Sequence, residues 1–377
     1  MSAQSHKPLK ARKKLAIPHS HPTLGSKEAR AAASTIRGGF VGYGPRAREL
    51  EQRLRSRSGR RFAFAVASGW HALVLALKAL DLPRKSLVAL PVLTCGSVLS
   101  AVMNTGHNAF LTDIREHDLT MDPQSITKGC AAVIAPHAYG APVDVSAIQK
   151  LRVPWIEDCA TSPATLAGKR NAGGCGTLAI FSFASTKYLA AGAGGALLTD
   201  DLVLASRIAE LLEIDSMASK TAWRNGFPGT QPGRLSDVHA SLGLAQLDRL
   251  AEFAVKRKAI ARRYNKAFSN LLGLRVPMGI PEHSFYRYIL KTAGPAEKLV
   301  ASLQEGGIDA RSSVNPWLNS CSPEMCRVAG GPWPIAEGWR DHLLSLPIHP
   351  SLDKKSVEFI IKSLGNALIA EAKQQNG

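Results

Sequence analysis

Residues 62–90 read FAFAVASGWHALVLALKALDLPRKSLVAL, and in them a short apolar run, a helical face and a second apolar run follow one another. The run at 62–66 is of strand length. From Gly69 to Leu80 the apolar residues Leu73, Leu77 and Leu80 recur at spacings of four and three, which puts them on one face of a helix. Residues 87–90 form the next strand. Runs of the same kind return at 109–112, 131–135 and 154–156. Strand–helix–strand repetition of this sort predicts an α/β fold, with a large, mostly parallel sheet covered on both faces.

Working outward, Ser26 can cap a helix over residues 29–36 that Gly38-Gly39 ends. The turn Gly42-Tyr43-Gly44-Pro45 then leads into a charged helix from about 46 to 57. Downstream, a strand opens near Leu178, residues 192–195 turn, and 196–199 form another strand. Residues 236–272 read as one long helix, with Leu242, Leu247, Leu250 and Phe253 on its apolar stripe. Beyond Pro277 a strand (286–291) and helices (297–304, 354–364) suggest a smaller C-terminal α+β domain. The organisation expected is a basic flexible tail over 1–15, a large α/β domain over 16–250 and a small domain over 251–377, with the long helix bridging the two.

The chain has 377 residues, enough to bury a large core, with 45% hydrophobic and 20% charged residues. Its net charge of +18 is high. Part lies in the tail (Lys7, Lys10, Arg12, Lys13, Lys14), whose plain reading is a solvated arm. The rest favours anionic ligands, but charge alone does not choose among phosphorylated small molecules, nucleic acid and membrane. No nucleic-acid-binding motif is present and aromatics are only 6%, so a specific nucleic-acid partner is not expected. The six cysteines (Cys95, Cys130, Cys159, Cys175, Cys321, Cys326) show no zinc spacing and no disulfide framework. No apolar run is long enough to span a membrane, and a cytoplasmic location is expected.

Three places can carry chemistry. Asp158 ends a strand in Ile156-Glu157-Asp158, where open parallel sheets bind ligands. A buried aspartate there can keep a pyridine nitrogen protonated, although it can equally cap the next segment. Lys187 closes Phe181-Ser182-Phe183-Ala184-Ser185-Thr186-Lys187 directly after a strand, a setting that suits a Schiff-base lysine and also an ordinary solvated one. Ala67-Ser68-Gly69 joins a strand to a helix, whose first amides suit a phosphate, as at any such turn.

The order of these pieces resembles the DegT/DnrJ/EryC1/StrS family of sugar aminotransferases, enzymes of fold type I that use pyridoxal 5'-phosphate (PLP). The resemblance runs from about Ile17 to Leu364. It includes Gly44-Pro45, Ala67-Ser68-Gly69, Tyr139-Gly140, Glu157-Asp158, Thr186-Lys187 and Gly194-Gly195-Ala196. Its most specific stretch is Arg234-Leu235-Ser236-Asp237 with Leu242-Gly243-Leu244-Ala245-Gln246-Leu247. The resemblance implies that Lys187 holds PLP as a Schiff base and moves protons, and that Asp158 pairs with the pyridine nitrogen. It implies that Ser182, with Ser68 and the backbone at Gly69 and Trp70, holds the phosphate, and that His137 lines the cofactor side. It further implies a homodimer with shared sites, Arg234 approaching the partner's cofactor. The substrates implied are an amino-acid donor, usually glutamate, and a nucleotide-linked keto-sugar acceptor for polysaccharide or glycoconjugate synthesis.

The departures fall at cofactor contacts. Trp70 stands where the family usually has Thr, and Cys95 where an aromatic stacks on the ring. Thr161 replaces a common Gln, and Pro232 an Asn that reaches across the dimer. The segment Arg311-Ser312-Ser313-Val314-Asn315-Pro316-Trp317 lacks the usual His-Tyr pair. Two explanations compete: a retuned aminotransferase, or a catalytically weak or inactive relative with a binding or regulatory role. Lys187 and Asp158 favour the first, because those two residues carry the chemistry, and Lys187 speaks against the dehydratase variants, which have His there.

Overall fold

The computed structural model describes residues 16–213, 232–276, 281–312, 317–320 and 328–375. The basic tail, Cys321, Cys326, Pro277 and Ser313–Pro316 lie outside the described residues. Two helices lead in, α1 (Ser26–Arg37) and α2 (Pro45–Ser58). The α/β succession follows as β1 (Phe62–Val66), α3 (Gly69–Ala79), β2 (Leu87–Pro91), α4 (Gly96–Asn104), β3 (Asn108–Thr112), β4 (Cys130–Pro136), α5 (Val145–Gln149) and β5 (Trp155–Asp158). After a small hairpin of β6 (Leu166–Ala167) and β7 (Arg170–Asn171) come β8 (Leu178–Ser182), β9 (Gly195–Thr199) and α6 (Leu202–Leu212).

The main sheet has eight strands in the order β1-β9-β8-β5-β4-β2-β3-β12, where β12 is Val328–Gly330. All neighbours are parallel except those of β9, which runs antiparallel to β1 and β8. Its strands are apolar nearly throughout because both faces are covered: β9 is buried at every position and β4 at five of seven. Helix α3 is the main cover, with Leu73, Leu75, Leu77 and Val74 buried against the sheet. A mostly parallel α/β architecture is what the apolar runs required. The sequence offered no sign of β12, which is three residues long.

The helix expected over 236–272 is two helices, α7 (Asp237–Asp248) and α8 (Leu250–Phe268). Arg249 leaves helical geometry between them (φ −99°, ψ 2°). Its guanidinium is held by Glu28 Oε1 (3.0 Å) and Thr23 O (3.1 Å), so tertiary bonds fix the break that the continuous apolar stripe conceals. Ser26 does not cap α1 either. Gly25 takes the N-cap, and Glu28 reaches back to accept its N–H at 2.7 Å.

A second core surrounds the antiparallel sheet β10 (Leu274–Arg275), β11 (Tyr288–Thr292) and β13 (Leu343–Leu346). α8, α9 (Ala296–Glu305) and α11 (Lys354–Gln375) supply Tyr264, Phe268, Leu299 and Ile360 to it, and α10 (Pro334–Arg340) precedes β13. Ile17, from the start of the described chain, joins this core through a bridge to Ile308. No helix among the described residues is long and apolar enough to cross a membrane.

Candidate active site

A cavity of about 400 Å³ opens at the carboxyl ends of β4, β5 and β8, beside the start of α3. Ligand sites sit at such strand ends because the strand termini and the following loops leave a crevice there. Nine of the ten residues singled out from the sequence line it: Ser68, Gly69, Trp70, Cys95, His137, Asp158, Thr161, Ser182 and Lys187.

Asp158 is the last residue of β5 and only 6% exposed. Its Oδ1 accepts one hydrogen bond, from Ala160 N at 2.9 Å. Burial pushes its carboxyl up; the Ala160 bond and the charge of Lys187 pull it partly back. Lys187 is half-buried in a turn that its own N–H closes on Ala184 O at 2.9 Å. A buried carboxylate with a single hydrogen bond and a lysine across the same cavity leave room for a cationic or N–H partner between them.

At the other end Ser68 caps α3, its Oγ accepting from His71 N at 3.0 Å. The amides of Gly69 and Trp70 precede any helical carbonyl that could take them, so they face outward at the positive end of the helix dipole. Ser182 ends β8 alongside. A Cβ placed on Gly69 would lie 2.7 Å from Ser182 Cβ and 3.0 Å from its Oγ, so only glycine lets helix and strand close up here. Free helix amides beside a serine hydroxyl are an arrangement that suits an anion. Trp70 and Cys95 both line the cavity, and the Trp70 indole N–H reaches Ser100 Oγ on α4 at 3.3 Å.

His137 lines the cavity with both ring nitrogens engaged. Nδ1 accepts the Val143 N–H at 3.2 Å, so the proton sits on Nε2, which donates to Glu157 Oε1 at 3.0 Å. Glu157 also accepts from the amides of Gly173 (2.8 Å), Cys175 (2.7 Å) and Gly176 (3.0 Å). Burial alone would raise this carboxyl; His137 and the amides of Gly173 and Cys175 more than reverse that and hold it at about 2. Thr161 Oγ1 is likewise turned to the protein, bonding His137 O at 3.0 Å.

Arg234 lies outside the cavity of its own chain. Its Nη2 bonds Glu213 Oε1 at 2.6 Å and its guanidinium covers the Tyr43 ring at 4.6 Å. Tyr139 and Tyr286 are in the cavity lining and were not singled out for it. Tyr139 stands in the Tyr139-Gly140 motif, but nothing local marks Tyr286, which lies two residues before β11. Its Oη donates to Thr186 O at 3.2 Å, next to Lys187.

The sequence model of the DegT/DnrJ/EryC1/StrS aminotransferase family matches residues 22–365. The chain is 31% identical over 376 residues to the spore coat polysaccharide biosynthesis protein SpsC of Bacillus subtilis (strain 168), covering 92% of this chain and 96% of that protein. Among solved structures it is similar to the aminotransferase TlmJ of Streptoalloteichus hindustanus (TM-score 0.85, 26% identity, 94% of this chain and 100% of that one). It is also similar to S. venezuelae DesV in complex with a ketimine intermediate (TM-score 0.80, 26% identity, 91% and 94%).

Proposed function

Since the chain belongs to the DegT/DnrJ/EryC1/StrS aminotransferase family, we propose that it transfers an amino group from an amino acid, glutamate in the first instance, to a nucleotide-linked keto-sugar, using PLP. The observation that carries this is the meeting of Asp158 and Lys187 in one cavity that also has an amide cradle.

The residues present fit PLP. Asp158 lacks a strong donor, and a protonated pyridine nitrogen would provide one while relieving the cost of burying its charge. The start of α3 with Ser182 suits a phosphate dianion. When bound, PLP supplies an electron sink for the bonds at the donor's α-carbon. Lys187 would hold the cofactor through Nζ and, once displaced by the donor's amine, take and return the α-proton. Tyr286, bonded to Thr186 O, would fix the loop that aims Lys187. Trp70 would cover the wall that Cys95 leaves bare. Ser68, Gly69 and Trp70 would contact the phosphate, and His137 and Thr161 would border the ring side while holding the Glu157 network and the strand end together. In a cytoplasmic homodimer, Arg234 would face the neighbouring subunit's site.

The reading is tested by titrating PLP into wild type and Lys187→Ala and recording visible absorption. A band from lysine-linked cofactor in wild type only, with turnover of glutamate and a keto-sugar nucleotide lost in the variant, is the expected result. No band at any PLP concentration would favour the other reading, a family relative that binds or regulates without catalysis, for which the changed residues Trp70, Cys95 and Thr161 in the cavity wall would be the cause.

A further inference from the structure

One wall of the cavity, with a residue packed behind it, holds polar groups that the proposed chemistry leaves unused. Tyr139 is nine-tenths buried and lines the cavity, yet its Oη has no hydrogen-bond partner among the described residues. It is held in the left-handed region (φ 53°, ψ 7°), which is costly for an aromatic residue and persists only where the surroundings impose it. Here they do: Ser284 N bonds Gly140 O at 2.9 Å and Arg287 N bonds Tyr139 O at 3.1 Å. The following Gly140 could carry no side chain, since a Cβ would sit 2.6 Å from Phe285 N.

Arg287 is fixed by that same ladder. It is only 6% exposed, its guanidinium lies 4.3 Å from the centre of the Tyr286 ring, and Nη2 donates to Tyr286 Oη at 3.2 Å. Among the described residues it forms no ion pair. Asp309, whose charge reaches it, is already paired with Arg311 at 2.9 Å, so two cations share one carboxylate. A second buried arginine, Arg257, likewise has an unpartnered Nε among the described residues but is held more fully through its Nη1. Arg257 donates to three carbonyls, Phe285 O (3.2 Å), Tyr286 O (3.1 Å) and Ile348 O (2.6 Å). Among the described residues the Arg287 side chain makes one bond, to a phenol that lines the cavity.

We propose that Tyr139, in this wall, and Arg287, packed directly behind it against Tyr286, form a carboxylate-binding subsite. The guanidinium offers N–H donors in a planar fork and the Tyr139 phenol an O–H donor, a set that matches the two oxygens of a carboxylate. Buried donors without acceptors are costly, and a bound carboxylate supplies the acceptors. The subsite deepens the reading of the cavity as a substrate site and rests on it. Its ligand is the carboxylate of the amino donor or that of an acidic sugar.

Glutarate and glucuronate, titrated calorimetrically into the full-length protein with and without PLP, test it. At least one acid binds wild type saturably: glutarate alone indicates the donor, glucuronate alone the sugar. Arg287→Gln weakens that binding about 10-fold or more. Tyr139→Phe weakens it several-fold without lowering Tm, because its Oη bonds nothing among the described residues. A purely structural tyrosine would show the reverse. Unchanged affinity in both variants, or no binding of either acid to wild type, overturns the subsite. PLP binding that is normal while the variants behave as wild type overturns the subsite alone. Acid binding that depends on Arg287 in a protein that takes up no PLP keeps the subsite and overturns the aminotransferase reading.

Discussion

Glu157→Gln isolates the network beneath the cavity. Glu157 is fully buried, and its two oxygens share four donors: Oε1 takes His137 Nε2–H and Gly173 N–H, Oε2 takes Cys175 N–H and Gly176 N–H. Glutamine keeps the shape but replaces one oxygen with an NH2 group. Whichever way the amide turns, two donors then face a donor. His137 cannot switch tautomer to help without losing the Val143 amide, which its Nδ1 accepts. Hydrogen bonds to a buried charge are worth about 1.5–3 kcal/mol each, and breaking one side of a buried ionic network costs about 3–5 kcal/mol. We expect a loss of that size, read as a fall in Tm of about 4–6 °C at neutral pH. A carboxyl held at about 2 instead of 4.5 contributes about 3 kcal/mol at neutrality. Being depressed in the fold, it stabilises above pH 4.5, and that stability is lost as pH falls towards 2. The gap between wild type and variant therefore closes in acid. A variant melting within about 2 °C of wild type at pH 7, or a gap that persists at pH 2–3, would refute the reasoning.

Further outcomes follow from other parts of the structure. Gly69→Ala puts a methyl 2.7 Å from Ser182 Cβ and should lower PLP affinity about 10-fold or more with a smaller change in Tm, by spectroscopic titration; unaltered affinity would remove the cradle from the phosphate site. Burial depresses His283 to about 3 and His349 to about 4. Their neutral forms stabilise the fold above pH 6.5, and this is lost as pH drops through 6.5 towards those values, at about 1.4 kcal/mol per pH unit for each. Melting followed from pH 7 to 4 should show the decline and His283→Gln should flatten it; equal slopes would count against it. Lys187→Ala should melt as wild type does, since its side chain makes no described bond that the fold needs, and a large loss of Tm would contradict its placement as a site residue.

Periodicity and strand-length runs already specified the α/β class, because burial on both faces makes a parallel strand apolar from end to end, and that is visible in a few consecutive letters. The same local logic found Asp158 at a strand end, Ser68-Gly69 at a strand–helix turn and Lys187 just after a strand, and all of them line the cavity. Three-dimensional contacts decided the rest. The break at Arg249 depends on Glu28 and Thr23, which no helical pattern in residues 236–272 can reveal. β12 pairs with β3 from the far end of the chain, and a three-residue strand carries too little pattern to be seen. Glu157 looks in sequence like a second candidate acid beside Asp158, yet alternation along β5 turns it to four donors on the other side. Tyr139, Tyr286 and Arg287 come together only because the turn after β4 is hydrogen-bonded to the segment that leads into β11. Residue type and spacing encode short-range geometry; which distant donors are left without acceptors is fixed by the packing of one segment on another.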